Sequence, residues 1–306
     1  MILRYAKDLS AQTIIAHGSE LASVCALDRD EQGKRVYTWP EAKTQDIATI
    51  LNPVLVTDDQ MRQQLPPTTR ITIQKLFQSP LLRTEYDGMS FDFVQNNYPG
   101  VRGPSIDTLL FTKVLSNLDM SNVVFAAERG CGSGFISKYL IRKAGNLKQL
   151  YVMDINPHAI QCARDQIQSP KARYHLGSAI DTMQGKQVDL LMCNPPYVPR
   201  PGSSDDNPYE GIGLLYELIM EGKKYLNPGG KIITNYSSLG DDPVAGWLKD
   251  SGWKVNILDE MRVPLKICNI LKNEEWMAYL MKEKGLQKED RKDYEYWHTI
   301  KIVELS

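Results

Sequence analysis

The chain has no long apolar run, no paired cysteines and almost no net charge, and each shortage narrows what it can be. Nothing approaches the ~20 consecutive apolar residues that a membrane-spanning helix needs, and the first eight residues, Met1 to Asp8, lack the apolar stretch of a secretion signal. The five cysteines (Cys25, Cys131, Cys162, Cys193, Cys268) form no C-x-x-C pair, and the four histidines stand apart. That pattern argues against a disulfide framework and against a zinc site. The expectation is a reduced, cytoplasmic protein with no metal and no membrane contact. Thirty-six basic residues against 37 acidic ones leave a net charge of −1, so there is no global pull toward nucleic acid, although such a sum hides a local basic patch. Internal repeats and low-complexity tracts are absent too. What is present is 306 residues, 42% hydrophobic and 24% charged. This is enough for one large or two ordinary domains with a core that needs no staples.

Along the chain, residues 1 to about 68 carry the weakest pattern. Ala11 to Leu27 has mixed helical spacing, Thr57-Asp58-Asp59-Gln60 reads as a helix cap, and Pro40, Pro53, Pro66 and Pro67 punctuate the rest. Asp87-Gly88 predicts a two-residue hairpin within 81–94, with Met89, Phe91 and Phe93 alternating onto one face. We take 1–100 as a smaller N-terminal accessory or substrate-recognition region and 101–306 as the main domain. From Thr108 onward helices alternate with short apolar strands near 123–127, 150–153, 173–176, 188–193 and 231–235, the pattern of βαβ units around a parallel sheet. A helix is predicted over 211–226 and another over 274–284, with strands at 253–258 and 298–304. Between those last strands lies an aromatic insertion, about 262–297, with Trp276, Tyr279, Tyr294, Tyr296 and Trp297. It is expected to cover an exposed sheet edge; a substrate-binding role is the alternative.

Two motifs carry chemistry. Glu128-Arg129-Gly130-Cys131-Gly132-Ser133-Gly134 falls between the first sheet strand and its helix. Glycines there let the backbone turn tightly and approach a ligand beside a helix N-terminus. The spacing is G-x-G-x-G, and Phe135 and Ser137 break both possible G-x-G-x-x-G frames. The longer spacing belongs to dinucleotide binders, whose pyrophosphate uses the helix dipole; a cofactor without phosphate has no such need. Asp154, twenty residues after Gly134 at the next strand end, is placed to accept hydrogen bonds from ribose hydroxyls.

The second motif, Asn194-Pro195-Pro196-Tyr197, directly follows the apolar strand Val188–Cys193. Ligands of open α/β sheets bind at the carboxyl ends of the strands, so both motifs share one crevice. The prolines stiffen the backbone. The Asn194 side-chain carbonyl and the Pro195 carbonyl can each accept one proton of an NH₂ group, which aims the nitrogen lone pair. Tyr197 offers a flat face to a planar acceptor.

With these residues the chain resembles the class I methyltransferases that carry an N-P-P-Y motif, among them the HemK/PrmC-type glutamine methyltransferases. The likeness covers about 80–260 and includes Gly103-Pro104-Ser105-Ile106-Asp107-Thr108. It implies an α/β, Rossmann-like fold with a seven-stranded, mostly parallel sheet whose last strand is reversed. It also implies S-adenosyl-L-methionine as donor and a glutamine side chain of a release factor as acceptor. Related enzymes methylate amino groups of bases in RNA or DNA. By position, Thr108 and Glu128 would lie toward the methionine end of the cofactor, and Gly130, Gly132 and Gly134 would line it. Asp154 would hold the ribose with Ile155 beside it, and Ser178 and Ala179 would flank the adenine. Asn194, Pro195 and Tyr197 would hold the acceptor, with Asn194 also bordering the cofactor. Arg129 stands where the family has a small or apolar residue, and Ala179 where an acidic one is common. The first 70 residues and the aromatic insertion have no counterpart in the resemblance. Three functions follow from these features: an amide N-methyltransferase, a base amino-methyltransferase using Arg200, Arg262 and Lys266 as its basic face, and a non-catalytic binding module. The loop from Pro199 to Asn207 is long enough for a lid.

Overall fold

The computed structural model describes residues 11–16, 26–29, 35–38, 81–94, 97–98, 101–178, 182–201, 211–265, 274–282, 285–288 and 296–306. The start of the chain differs from the mixed helical spacing expected of it. Ala11–Ala16 is a strand, β1; Ala26–Arg29 and Arg35–Thr38 are strands β2 and β3, paired antiparallel. The run Thr13-Ile14-Ile15 is β-branched, which favours the extended chain over the helix. The cap expected at Thr57 lies outside the described residues.

The hairpin forms where Asp87-Gly88 places it. Strands β4 (Leu81–Tyr86) and β5 (Met89–Val94) pair across it, and β1 adds to β4 in parallel. Asp87 and Gly88 have φ of 47° and 71°, the left-handed pair that a two-residue hairpin turn requires. The alternation also holds: Met89, Phe91 and Phe93 are buried. Phe91 meets Phe135 edge-on at 5.1 Å, Tyr86 meets Tyr139 at 5.5 Å, and the Tyr139 hydroxyl donates to Asp87 at 2.7 Å. Their side chains join the core of the main sheet.

That sheet contains β6 (Phe125–Arg129), β7 (Gln149–Asp154), β8 (Ala172–Leu176), β9 (Val188–Cys193), β10 (Leu226–Ser237), β11 (Val255–Pro264) and β13 (Tyr296–Leu305). Their spatial order is β11-β13-β10-β9-β6-β7-β8, and β13 runs antiparallel to both neighbours while the other pairings are parallel. The seven strands and the reversed last one match the expected topology. A two-residue strand, β12 (Gln287–Lys288), makes an eighth by pairing with β13. The Asn227–Gly230 turn survives as an irregularity inside β10, whose pairing with β9 jumps from Leu226 to Lys231.

Helices α1 (Ile106–Asn117), α2 (Phe135–Lys143) and α3 (Pro157–Gln166) cover one face, and α4 (Gly213–Glu221) and α5 (Asp241–Ser251) the other. The helix expected over 211–226 ends early, at Glu221, and continues as a 3₁₀ turn to Tyr225. At the far end of the sheet Asp189 accepts the N–H groups of Val124 and Phe125 and the side chain of Asn227, which locks three strands in register. The chain fills the sheet from β6 toward β8, then returns to place β9 on β6's other side. A crevice opens where the order reverses, at the carboxyl ends of β6 and β9.

Candidate active site

The glycine loop and the N-P-P-Y segment flank that crevice. Gly130, Gly132 and Gly134 all have positive φ, between 51° and 82°. At Gly134 packing adds a second demand: a Cβ there would sit 3.0 Å from the Ala163 backbone and side chain, so the glycine lets α2 close on α3. Gly130 is exposed and Gly132 half-buried, so the first two glycines border the open space and the third is buried behind them.

Consecutive residues of a strand point to opposite faces, and this separates Glu128 from Arg129. Glu128 is buried toward α2, where its carboxyl accepts the Ser137 hydroxyl. Burial pushes it up to about 8, against the pull of the Ser137 hydrogen bonds. Arg129 turns the other way and pairs with Glu217 of α4, fully buried. Its guanidinium thus stays on the face opposite Glu128.

Asp154 ends β7 and holds the loop from below. One carboxylate oxygen accepts the Gly132 N–H at 2.9 Å and the other the Asn156 N–H at 2.8 Å. Burial nonetheless raises its pKa, with those backbone N–H groups opposing. The Ile155 N–H and the Cys131 thiol also hydrogen-bond this carboxylate, so ribose hydroxyls would share its oxygens with the loop or displace part of that set. Beside it Ile155 is 39% exposed, an apolar side chain open to a flat ring. Asn156 caps α3 through the His158 N–H, with Pro157 at the first helical position. Ser178 is exposed beyond β8, and Ala179 lies outside the described residues. Thr108 acts locally, its hydroxyl accepting the Ser105 N–H in a reciprocal cap that starts α1. A braced carboxylate at a strand end, an exposed Ile155 and a buried, protonatable Glu128 together suit a nucleoside carrying an amino-acid tail.

On the acceptor side Asn194 donates through Nδ2 to Asp107 at 3.1 Å, and Ser105 donates to the other oxygen of the same carboxylate. A carboxylate only accepts, so this contact fixes which end of the amide faces Asp107. Asn194 Oδ1 is left buried with no partner. Pro195 is buried, and Tyr197 is partly buried with its ring 6.0 Å from that of His298. Burial raises the Tyr197 phenol, which stays protonated. His298 in turn shares a 2.8 Å hydrogen bond with Ser237.

Asp107 and His298 escaped the sequence reading as site residues. Asp107 sits in the quoted Pro-rich segment, but its contact spans 87 positions and leaves no local signal. His298 is a lone histidine in the final strand, with no pattern to mark it.

Among the described residues of the aromatic insertion, Tyr296 and Trp297 begin β13, where the insertion's own β12 pairs with them beyond the end of β10, and Trp297 is buried. Edge strand β11 is exposed at Val255 and Ile257. Helix α6 (Glu274–Lys282) buries Trp276 and Leu280 against Val198, Leu239 and Leu265. The Trp276 ring N–H donates to the Pro199 carbonyl at 2.8 Å, tying the insertion to the segment after Tyr197. The two described basic candidates stack on this aromatic layer. Arg200 lies 5.4 Å from the Trp276 ring, and Arg262 lies 5.0 Å from Trp297 and donates to Gln287. Lys266, Tyr294 and most of the expected lid, 202–207, lie outside the described residues. Among the described residues no group of three or more His, Cys, Asp or Glu is placed to hold a metal, and no helix is long and apolar enough to cross a membrane.

Comparison with known proteins agrees with this geometry. Residues 106–245 match the family described as Methyltransferase small domain. The chain is 27% identical over 179 residues to a release factor glutamine methyltransferase of Aquifex aeolicus, covering 53% of this chain and 63% of that protein. It is 30% identical over 171 residues to a probable cobalt-precorrin-6B C(15)-methyltransferase (decarboxylating) of Methanothermobacter thermautotrophicus, covering 55% of this chain and 80% of the relative. A human protein named Methyltransferase HEMK2 is 32% identical over 113 residues, 34% of this chain and 52% of its own length. This chain thus spans less than two thirds of the Aquifex and human relatives. Glycine loop, strand-end aspartate, strand order and these likenesses agree: the chain belongs to the class I S-adenosylmethionine-dependent methyltransferases.

Proposed function

We propose that the protein methylates the side-chain amide nitrogen of a glutamine in a protein substrate of release-factor type. The observation that carries this reading is Asn194. Its Nδ2 is committed to Asp107, and its buried Oδ1 has no partner. A buried acceptor without a donor is costly, about 1–3 kcal/mol, and an incoming N–H removes that cost. The Pro195 carbonyl would take the second proton, so the nitrogen lone pair is aimed across the crevice toward the glycine loop. S-adenosylmethionine supplies a methyl group on a positively charged sulfur. Asp154, Ile155 and Ser178 would hold its nucleoside end, the loop from Gly130 to Gly134 its middle, and Glu128, with Thr108 nearby, its methionine end. The two carbonyls stabilise the charge that grows on the acceptor nitrogen, and most of the rate comes from alignment. Residues 1–100 would serve as the accessory region that selects the substrate.

A protein substrate is favoured over RNA because Arg200 and Arg262 are already stacked on Trp276 and Trp297, and the chain as a whole is near neutral. The test is methyl transfer from tritiated S-adenosylmethionine to a purified release factor and, separately, to ribosomal and transfer RNA. Label on a release-factor glutamine is expected, with Asn194→Ala lowering kcat by about 10²–10³ and leaving cofactor affinity within twofold. Label on RNA alone would replace the glutamine reading by base methylation.

A further inference from the structure

Asn235 is an asparagine in the interior of a buried sheet. It belongs to β10, is 0% exposed, and neither its Oδ1 nor its Nδ2 has a hydrogen-bond partner. Asparagine is a poor strand former, and a core position left with both polar atoms unpaired would be better filled by an aliphatic residue.

Its neighbour explains the choice. Thr234 is in register with Cys193 of β9, so the next residues, Asn235 and Asn194, lie side by side across one strand spacing, about 4.8 Å. Ile233 and Met192 both belong to the core beneath α1, α2 and α3, so two residues further on Asn235 and Asn194 face that same side. On its other flank Asn235 is paired with Ile302, an apolar residue that offers its side chain nothing. Seven buried side-chain atoms lack partners among the described residues, and three of them sit on these two adjacent asparagines. A shared ligand accounts for that concentration.

We infer that Asn235 is a second acceptor-binding residue, whose Nδ2 donates to the carbonyl oxygen of the carboxamide held by Asn194. The inference rests on the glutamine reading and sharpens it. A carboxamide brings two N–H groups and one carbonyl. Asn194 Oδ1 and the Pro195 carbonyl take the two N–H groups, and the carbonyl then needs a donor. Asn235 supplies one from the adjacent strand. Its depth suits the slender end of a glutamine better than a ring. A hydrogen bond to that carbonyl draws electrons away from the nitrogen, so it cannot speed the attack. It selects a carboxamide over an alkyl amine, which has no carbonyl to offer. Its loss therefore appears in KM and not in kcat.

The experiment measures methyl transfer from tritiated S-adenosylmethionine to a synthetic peptide with a single glutamine, using the full chain and its Asn235→Leu variant, with thermal melting of both. Leucine keeps the branched shape and heavy-atom count and removes two unpaired polar groups, which offsets the strain of its bulkier methyl groups, so its Tm is expected to stay close to that of the wild type. KM for the peptide should rise at least tenfold while kcat stays within threefold and cofactor Kd is unchanged. A residue serving only the fold would not give that split. If the leucine variant does not fold, Asn235→Val, suited to a strand, takes its place. An unchanged KM in a folded variant overturns the role of Asn235 and leaves the glutamine reading standing. A wild-type enzyme that methylates no glutamine peptide but does label RNA overturns both.

Discussion

Glu128 shows how one buried side chain makes the stability of the cofactor-free protein depend on pH. In the unfolded chain its carboxyl titrates near its ordinary value of 4.5, whereas burial holds it up to about 8 in the fold. Between those values the folded state keeps a proton that the unfolded state has lost, so stability falls as pH rises. The loss runs from about pH 4.5 to about 8 and is complete above that. Glu128→Gln, which keeps the bond to Ser137 but cannot ionise, should flatten this slope in melting curves taken across that range. A slope of the same size in the variant would assign the effect to another group. The same residue makes a binding prediction. If the ammonium of the cofactor's methionine end sits beside it, binding at pH 7 should release protons, read by calorimetry in buffers of different ionisation enthalpy. At this scale legibility was uneven. Glu128, Asp154 and Asn194 could be named because each sits at a strand end beside a motif. Asp107 and Asn235 could not, since what marks them is a missing or distant hydrogen-bond partner.

At the scale of elements, local chemistry decides most boundaries. Asp87-Gly88 makes the hairpin, Ser105 with Thr108 starts α1, and Asn156 with Pro157 starts α3. Gly134 joins two levels, since its φ of 82° and its contact with Ala163 both require the absence of a side chain. Gly134→Ala should cost roughly 1–3 kcal/mol from backbone strain and overpacking, measured by denaturant unfolding. Loss of cofactor binding in proportion to the unfolded fraction alone would show that Gly134 acts through packing. Elements failed to be legible where pairing outweighed spacing. The Thr13-Ile14-Ile15 run becomes a strand because β4 lies alongside it, and the Asn227–Gly230 turn is absorbed into β10 because β9 continues past it. In the aromatic insertion, composition alone does not show that Trp297 starts β13, where β11 and the short β12 flank it.

For the whole molecule, the decisive feature is where the strand order reverses. It brings the loop after β6 and the segment after β9 to one crevice, with Asp154 of β7 beneath the loop. Asp154→Ala removes both the proposed ribose acceptor and the brace under Gly132, so S-adenosylmethionine Kd should weaken by at least tenfold, about 1.4 kcal/mol. Calorimetric titration with the cofactor and its demethylated product checks this, and unchanged affinity would move the nucleoside end elsewhere. The sequence alone determined the alternation of strands and helices, the glycine loop, the acidic strand end and the N-P-P-Y segment. Those are local patterns, set by hydrophobic period and by residues with special backbone freedom. Only the tertiary structure decided which residues meet. It brought Asp107 to Asn194 across 87 positions, turned Arg129 away from Glu128, and set Asn235 beside Asn194. Such pairings depend on strand order and on the face each residue takes, and neither is written in the spacing of a single segment.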